Sequence, residues 1–303
     1  MPDDSGVTRH RSLKAADATS VNVPLPTTEG SALPASAGEQ PGALSVMTYN
    51  LKVAHATGRN RWAVRRPVMR ELLRRERPHV IGTQEGRYRQ LRSIDKDIGP
   101  HYDWIGTGRM GGRKDEFAAV FYDTGRLKPI QSDHYWLSDT PSVIASNTWG
   151  ADLPRVVTWV RFSDLAREGR EFYVLNTHLD HRSQYARERS VELIGETIAA
   201  FDSSLPIVVT GDFNVPAHDN RVYDAMLALG LVDTWNAAAA CSPQYATFNG
   251  FRPPEPGGQR IDWILTTPGV TTHWAAINTY AVNGRLPSDH LPVQAALDLG
   301  EHR

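Results

Sequence analysis

Short apolar runs rich in β-branched residues recur along this chain and alternate with longer amphipathic stretches. The run at residues 207–209, Ile-Val-Val, has the composition of a strand that is buried on both faces, and Thr210 and Gly211 end it. Similar runs predict further strands at residues 45–49, 80–83, 117–122, 156–162, 172–175, 261–265, 271–281 and 291–299.

Three stretches carry the period of an amphipathic helix. Residues 64–77 place Val64, Val68 and Leu72 on one face, and Pro78 ends the helix. Ser183 is the predicted N-cap of a helix that runs to about residue 201, and a shorter helix begins near residue 220. Strands outnumber helices, and some strands follow each other directly. This mixture predicts packed sheets with helices outside.

The first 43 residues differ from the rest of the chain. They are rich in Ser, Ala, Pro, Thr and Gly, and almost no large apolar residue occurs among them. Such a composition cannot bury enough apolar surface to offset the entropy of ordering, so we predict a disordered tail over residues 1–43 and one domain over residues 44–303. No apolar run reaches the length of a membrane span, and no secretory signal core is present, which predicts a cytoplasmic protein.

Charge and cysteine content exclude several classes of protein. Lys and Arg total 33 against 34 for Asp and Glu, so no overall field attracts nucleic acid. The arginines around residues 59–77 leave two interpretations, a basic binding face or a solvated helix face. The one cysteine, Cys241, excludes an internal disulfide. Gly106 to Gly111 spells a dinucleotide fingerprint, but a strand pattern follows it instead of a helix, so we predict a flexible loop.

Polar side chains follow five of the predicted strands at the points where they end. They are Asn50, Glu85, His178, the pair Asp212 and Asn214, and the pair Asp289 and His290, while Asp262 lies within a strand. Each alone has a structural explanation, such as an Asx-turn, an ion pair or a buried histidine. Their recurrence at strand ends predicts a shared site.

The donor set restricts the chemistry of such a site. Carboxylate and amide oxygens suit Mg²⁺ or Mn²⁺, whereas Zn²⁺ prefers His and Cys ligands. Mg²⁺ often bridges to phosphate, which points to phosphoryl chemistry. The chain has no P-loop, no HExxH and no GxSxG motif, so the signatures of P-loop NTPases, zinc proteases and serine hydrolases are absent.

Six short blocks of the sequence resemble the motifs of the endonuclease/exonuclease/phosphatase superfamily, which includes deoxyribonuclease I, and occur in the family's order. They are residues 48–50 (TYN), 84–85 (QE), 176–178 (NTH), 211–214 (GDFN), 261–263 (IDW) and 288–290 (SDH). The resemblance implies an α/β (α+β) fold, a four-layer sandwich of two mixed β-sheets flanked by helices, with the site at the strand ends.

The resemblance also implies a role for each matching residue. It implies metal binding by Glu85, Asn50 and Asp289, and catalysis by His290, Asp212, His178, Asp262 and Asn214. Asp212 would orient or deprotonate water, and His290, oriented by Asp262, would stabilise the transition state or move a proton. Asn176, His181 and Arg155 are the predicted substrate-binding residues.

One departure from the family pattern narrows the function. Lys52 follows Asn50 where abasic-site endonucleases carry an Asp, which argues against a second metal. Other blocks resemble a poorly characterised bacterial branch of the superfamily. We therefore expect a Mg²⁺-dependent phosphoesterase, acting on the mono- or diester of a small sugar, lipid-headgroup or metabolite phosphate. A nuclease on DNA or RNA is the alternative, and a non-catalytic module that kept the scaffold is a third hypothesis.

Overall fold

Thirteen strands form two mixed sheets in the computed structural model, which describes residues 40, 42–55 and 57–300. The predicted tail lies outside the described residues apart from its last few positions. The first sheet has the order β10-β12-β13-β1-β2-β4-β3, with β1 Leu44–Asn50, β2 Val80–Arg87, β3 Tyr102–Ile105, β4 Glu116–Asp123, β10 Ala240–Cys241, β12 Thr271–Ile277 and β13 Val293–Asp298.

The second sheet has six strands in the order β5-β6-β7-β8-β11-β9. Its strands are β5 Leu127–Trp136, β6 Val156–Asp164, β7 Arg170–His178, β8 Ile207–Asp212, β9 Val232–Asp233 and β11 Asp262–Thr266. The helices are α1 Trp62–Glu76, α2 Tyr88–Ile98, α3 Gln184–Ala200, α4 Arg221–Ala228 and the single turn α5 Thr234–Ala237. None of the helices in the described residues is long and apolar enough to cross a membrane.

Three apolar layers hold the elements together. Val46, Val120, Val174 and Val208 belong to the core cluster formed by residues of both sheets, and each is fully buried. A second cluster joins α1 and α2 to the first sheet, and a third joins α3 and α4 to the second sheet. Because the strands bury both faces, they read as continuous apolar runs rather than as alternation. The expected four-layer sandwich is confirmed.

The two sheets approach each other closely at Gly82. A Cβ built there would lie 2.0 Å from Thr210 Oγ1 and 2.7 Å from Asn176 Oδ1, so only glycine fits. Asn176 Oδ1 accepts from Gln84 Nε2 (2.8 Å) and Thr210 Oγ1 (3.0 Å), while its Nδ2 donates to two backbone carbonyls of the first sheet. Asn176 therefore links the two sheets through buried hydrogen bonds.

Strand direction determines which residues meet. β1 runs parallel to β2, and β7 runs parallel to β8, so their carboxyl ends lie at one edge of the sandwich. In β11, which is antiparallel to β8, Asp262 pairs in register with Asp212. The segment before β13 brings Asp289 and His290 to the end of β1, because these two strands are antiparallel. The predicted site residues converge at this edge.

Candidate active site

An open cleft of about 350 Å³ lies at this edge of the sandwich. Seven of the predicted residues line it: Glu85, Arg155, His178, His181, Asp212, Asn214 and His290. Asn50, Asp262 and Asp289 lie behind the residues that line the cleft and form hydrogen bonds or ion pairs with them, as described below. Asn176 is the exception, because both ends of its amide are satisfied between the sheets. The prediction that it binds substrate is corrected to a structural role.

Asp212 is the centre of the residues predicted to be catalytic (Asp212, His178, Asn214, Asp262 and His290), which are called the catalytic group below. Its Oδ2 accepts from Asn50 Nδ2 (2.8 Å) and lies 3.5 Å from His178 Nε2 and 3.7 Å from His290 Nε2. On the other side of the His290 ring, Nδ1 lies 2.9 Å from Asp262 Oδ2. This pair fixes the orientation of the His290 imidazole and leaves Nε2 facing Asp212.

The buried charges set the protonation of these groups. Burial raises the pKa of Asp212, and the neighbouring Asp262 carboxylate raises it further. Burial lowers the pKa of His290, but the carboxylates of Asp262 and Asp212 outweigh it and raise that pKa well above its ordinary value. Burial and the positive charge of Arg155 hold the pKa of His178 well below its ordinary value. His290 is thus the proton-rich imidazole and His178 the neutral one.

Asn214 holds His178 in one tautomer. Its Nδ2 lies 2.9 Å from His178 Nε2 and donates to the Leu179 carbonyl at 3.0 Å. An amide nitrogen can only donate, so the His178 Nε2 accepts and carries no proton. Asn214 reaches this position with a φ of 55°, in the left-handed region that non-glycine residues rarely occupy. Such a conformation at a site is typical of function.

A second group of acids lies at the ends of β1 and β2 and before β13. Glu85 has a φ of 61° beside an irregularity in β2, and its carboxylate accepts from Asn50 Nδ2 and from the Val53 amide, both at 3.0 Å. The Lys52 ammonium lies 3.2 Å from Asp289 Oδ2 and 3.9 Å from Glu85 Oε2. Burial raises the pKa of Glu85, but Lys52 and these hydrogen bonds bring it below its ordinary value.

Asn50, predicted to bind the metal, is held by hydrogen bonds within the protein. Its Nδ2 donates to both Glu85 and Asp212, and its Oδ1 accepts from the Lys52 amide at 3.0 Å. One of the two lone pairs of the amide oxygen is thereby used within the protein. In this structure Asn50 positions two carboxylates and joins the acid group to the catalytic group.

Two sets of side chains could hold a cation. Asp212, Asp262 and His290 place ligand atoms within 4.8 Å of one another. However, His290 Nδ1 is bound to Asp262, so this set is arranged for hydrogen bonding. Glu85 and Asp289 offer oxygen only, and the buried Asp289 Oδ1 has no hydrogen-bond partner among the described residues. Asp262 Oδ1 is likewise buried without a partner among the described residues, so an unsatisfied oxygen does not separate the two sets. The oxygen-only donors of Glu85 and Asp289 fit Mg²⁺ or Mn²⁺ better than a set that includes an imidazole, so these two residues are the better candidates.

Basic side chains also line the cleft. Arg155, at the start of β6, is 6% exposed, lies 3.6 Å from Asp180 through Nε and has Nη2 3.1 Å from His181 Nδ1. Arg109 is equally buried and pairs with Glu116 at 2.9 Å. A buried guanidinium that lines a cleft is suited to bind an anion.

Sequence reasoning missed several residues that line the cleft, namely Val53, Arg109, Glu116, Leu153 and Phe248. Arg109 lies in the segment that was predicted to be a flexible loop. The loop itself is confirmed, since no helix or strand lies between β3 and β4. It is not an open loop, because residues 104–109 are buried and the Arg109 and Gly108 amides donate to backbone carbonyls at 2.8 Å. The glycine spacing was the available signal, since a Cβ at Gly108 would lie 2.0 Å from the Lys114 carbonyl oxygen.

The arginines of α1 do not line the cleft. Arg65 is fully buried, and its guanidinium donates to the carbonyls of Leu51, Lys52 and Pro287 at 2.8–2.9 Å. Arg66 pairs with Asp97 on α2 at 2.7 Å. Arg65 therefore holds the segment that carries Lys52, which neither interpretation of the helix arginines predicted.

Comparisons with known proteins agree with this geometry. A mannosyl-6-phosphatase of Bacteroides thetaiotaomicron VPI-5482 is 33% identical, with a TM-score of 0.79 over 84% of this chain and 99% of that chain. A Bacteroides thetaiotaomicron endonuclease/exonuclease/phosphatase family protein is 34% identical, with a TM-score of 0.79 over 86% and 98% of the two chains. No curated protein matches the chain.

A more distant structure has the same fold. TDP2 of D. rerio in complex with a single-stranded DNA product is 16% identical, with a TM-score of 0.66 over 85% of this chain and 99% of that chain. The family model of the Endonuclease/Exonuclease/phosphatase family matches residues 47–290, which include every strand end of the cleft. The chain therefore belongs to the endonuclease/exonuclease/phosphatase family, whose members are enzymes that hydrolyse phosphoester bonds.

Proposed function

We propose that this protein is a Mg²⁺-dependent phosphoesterase that releases phosphate from the ester of a small molecule, with sugar phosphates as the first substrates to test. One observation carries the proposal: Asn50 joins Glu85, an oxygen donor, to Asp212, which lies 3.7 Å from His290 Nε2 at the same cleft. Lys52 links Glu85 to Asp289, the second oxygen donor. The 33% identity to a mannosyl-6-phosphatase supports the choice of sugar phosphates. A cytoplasmic location stays a prediction.

Glu85 and Asp289 would hold the cation, which would neutralise charge on the phosphoryl oxygens and so favour attack at phosphorus. Lys52 lies between the same two carboxylates, so the protein already places a positive charge where one is needed. Arg155 and Arg109, which also line the cleft, would bind the remaining phosphoryl oxygens.

The catalytic group supplies the proton transfers of hydrolysis. A water oxygen forms a bond to phosphorus while the bond from phosphorus to the ester oxygen breaks. Asp212 takes the proton of the water, and His290, held by Asp262, donates a proton from Nε2 to the departing alkoxide. His178 and Asn214 border the same space and would orient the phosphoryl group.

A nuclease of the deoxyribonuclease type is the second candidate. The condition that favoured it was a cleft lined by the arginines of α1, but Arg65 and Arg66 are bound elsewhere in the protein. The structural likeness to TDP2 supports the shared fold and not its substrate. Nucleic acid therefore enters the test below as a competing substrate.

The test is a panel of sugar phosphates, other phosphomonoesters, phosphodiesters and plasmid DNA. We expect phosphate release with Mg²⁺, none in EDTA, and a loss of at least about 100-fold in Asp212→Asn. Asp133→Asn, an exposed carboxylate on β5, is the matched control and should retain full activity. A folded protein that hydrolyses none of the esters, or one that is fully active in EDTA, would refute the proposal.

A further inference from the structure

A second hollow of about 270 Å³ adjoins the cleft, and residues 246–258 border it. Phe248 is common to both cavities. Its ring is 48% exposed and lies 5.1 Å from the His290 imidazole, centroid to centroid. An exposed aromatic ring beside a catalytic histidine offers an apolar face to whatever is attached to the reacting phosphate.

Asn249, beside this hollow, carries a buried side-chain donor that is not used within the described residues. The residue lines the hollow and is only 7% exposed, and its Oδ1 accepts from the Phe251 amide at 2.8 Å. That bond fixes the orientation of the side-chain amide. Within the described part of the chain, Nδ2 has no hydrogen-bond partner. A buried donor without a partner is costly, and a ligand oxygen would satisfy it.

Charged groups at the rim add further hydrogen-bonding capacity. Arg252 and Glu255 line the hollow and are exposed, and Arg252 Nε donates to the Asn249 carbonyl at 3.3 Å. The hollow therefore combines one aromatic face with groups that donate hydrogen bonds and groups that accept them. A ring with several hydroxyl groups matches this set, because each hydroxyl both donates and accepts. An acyl chain would leave the amide and the charges without partners.

The hollow is fixed to the catalytic residues through the backbone. The amides of Asn249 and Gly250 donate to the Asp289 carbonyl at 2.9 and 3.1 Å. Thr247 accepts from the Leu291 amide at 2.7 Å through its carbonyl and from the Asp262 amide at 3.2 Å through Oγ1. A group bound in the hollow would thus keep a constant position relative to Asp289 and His290.

We propose that the hollow is a subsite for the sugar ring that leaves with the ester oxygen, with the ring packed on Phe248 and a hydroxyl group accepting from Asn249 Nδ2. This inference rests on the proposed phosphoesterase activity and adds the substrate class. The geometry that supports it is the position of Phe248, which lines both the hollow and the cleft and lies 5.1 Å from His290, the proposed proton donor to the leaving oxygen.

Asn249→Asp tests the subsite, because it keeps the oxygen that the Phe251 amide needs and replaces the free donor by an acceptor. The measured quantity is the ratio of kcat/KM for a hexose 6-phosphate to that for phenyl phosphate, which has no hydroxyl group on its ring. We expect this ratio to fall about tenfold in Asn249→Asp and to fall in Arg252→Ala, whose exposed side chain is not needed for folding. Asn283→Asp, in an exposed turn, is the matched control.

The outcomes separate the two proposals. A wild-type protein that hydrolyses no phosphoester refutes the proposed function. A wild-type protein that hydrolyses both esters, with a ratio that neither variant changes, refutes the subsite alone. A clear preference of the wild type for a nucleotide over the hexose phosphate also overturns the assignment to a sugar. Melting temperatures of all variants show whether each is folded.

Discussion

Replacing Asn176 by alanine tests whether the buried amide between the sheets is structural. The change removes hydrogen bonds from Gln84 Nε2 (2.8 Å) and Thr210 Oγ1 (3.0 Å), and to the carbonyls of Thr83 (2.9 Å) and Ala119 (3.1 Å). At a net value of about 0.5–1.5 kcal/mol each, these four bonds contribute about 2–6 kcal/mol. Alternative partners partly compensate, since Gln84 also donates to Thr48 Oγ1 at 3.1 Å. We therefore expect the free energy of unfolding to fall by about 3–5 kcal/mol.

Urea unfolding followed by tryptophan fluorescence measures this loss as a lower midpoint. Thr158→Val is the matched control, because Thr158 is fully buried in β6 and its hydroxyl has no partner among the described residues. Removing an unsatisfied hydroxyl should leave stability unchanged or raise it. A loss below about 1 kcal/mol in Asn176→Ala, together with a raised KM, would refute the structural role and restore the substrate-binding role.

Three further predictions concern catalysis, the cation and pH. His290→Ala should lower kcat by about 10²–10⁴-fold, because the leaving oxygen loses its proton donor, and a full rate would contradict the assignment. Lys52→Met should tighten Mn²⁺ binding about tenfold in calorimetric titration, because the ammonium no longer occupies the space between Glu85 and Asp289. The exposed control Lys128→Met should leave the affinity unchanged. Equal Mn²⁺ affinities of the wild type and Lys52→Met would contradict this prediction. Burial and Arg126 lower the pKa of His79 from 6.5 to about 4. The unfolded chain therefore binds its proton first, and stability falls as pH drops from about 6.5 to about 4, by up to about 1.4 kcal/mol per pH unit. Urea unfolding of His79→Gln should show a shallower slope over that range, and an identical slope would refute the attribution.

The fold could be predicted from the sequence where strands bury both faces. The run at residues 207–209 belongs to β8, with neighbours on either side in its sheet. β5 was missed because it is an edge strand that pairs with β6 alone, and its exposed positions include Lys128 and Asp133. α2 was missed because it follows β2 without a glycine or proline between them, and its sequence is mostly polar.

Part of the site could also be predicted, because the predicted strands show which polar residues lie at strand ends. Residues at the carboxyl ends of parallel strands must meet at one edge, which is why Glu85 and Asp212 are joined through Asn50. Whether a polar residue near a strand end points into the cleft or between the sheets depends on the register across two sheets, which placed Asn176 inside. Phe248 lies in a loop, and the backbone contacts of this loop with residues 289–291, including the bridge from Phe248 to His290, bring it to the cleft.

Hydrolysis of a hexose 6-phosphate in water enriched in the heavy oxygen isotope tests the central claim most directly. If Asp212 activates water for attack on phosphorus, the heavy oxygen appears in the released phosphate, and the alcohol keeps its original oxygen. Heavy oxygen in the alcohol would mean that the bond between carbon and oxygen breaks instead, and attack on phosphorus at this cleft would be contradicted.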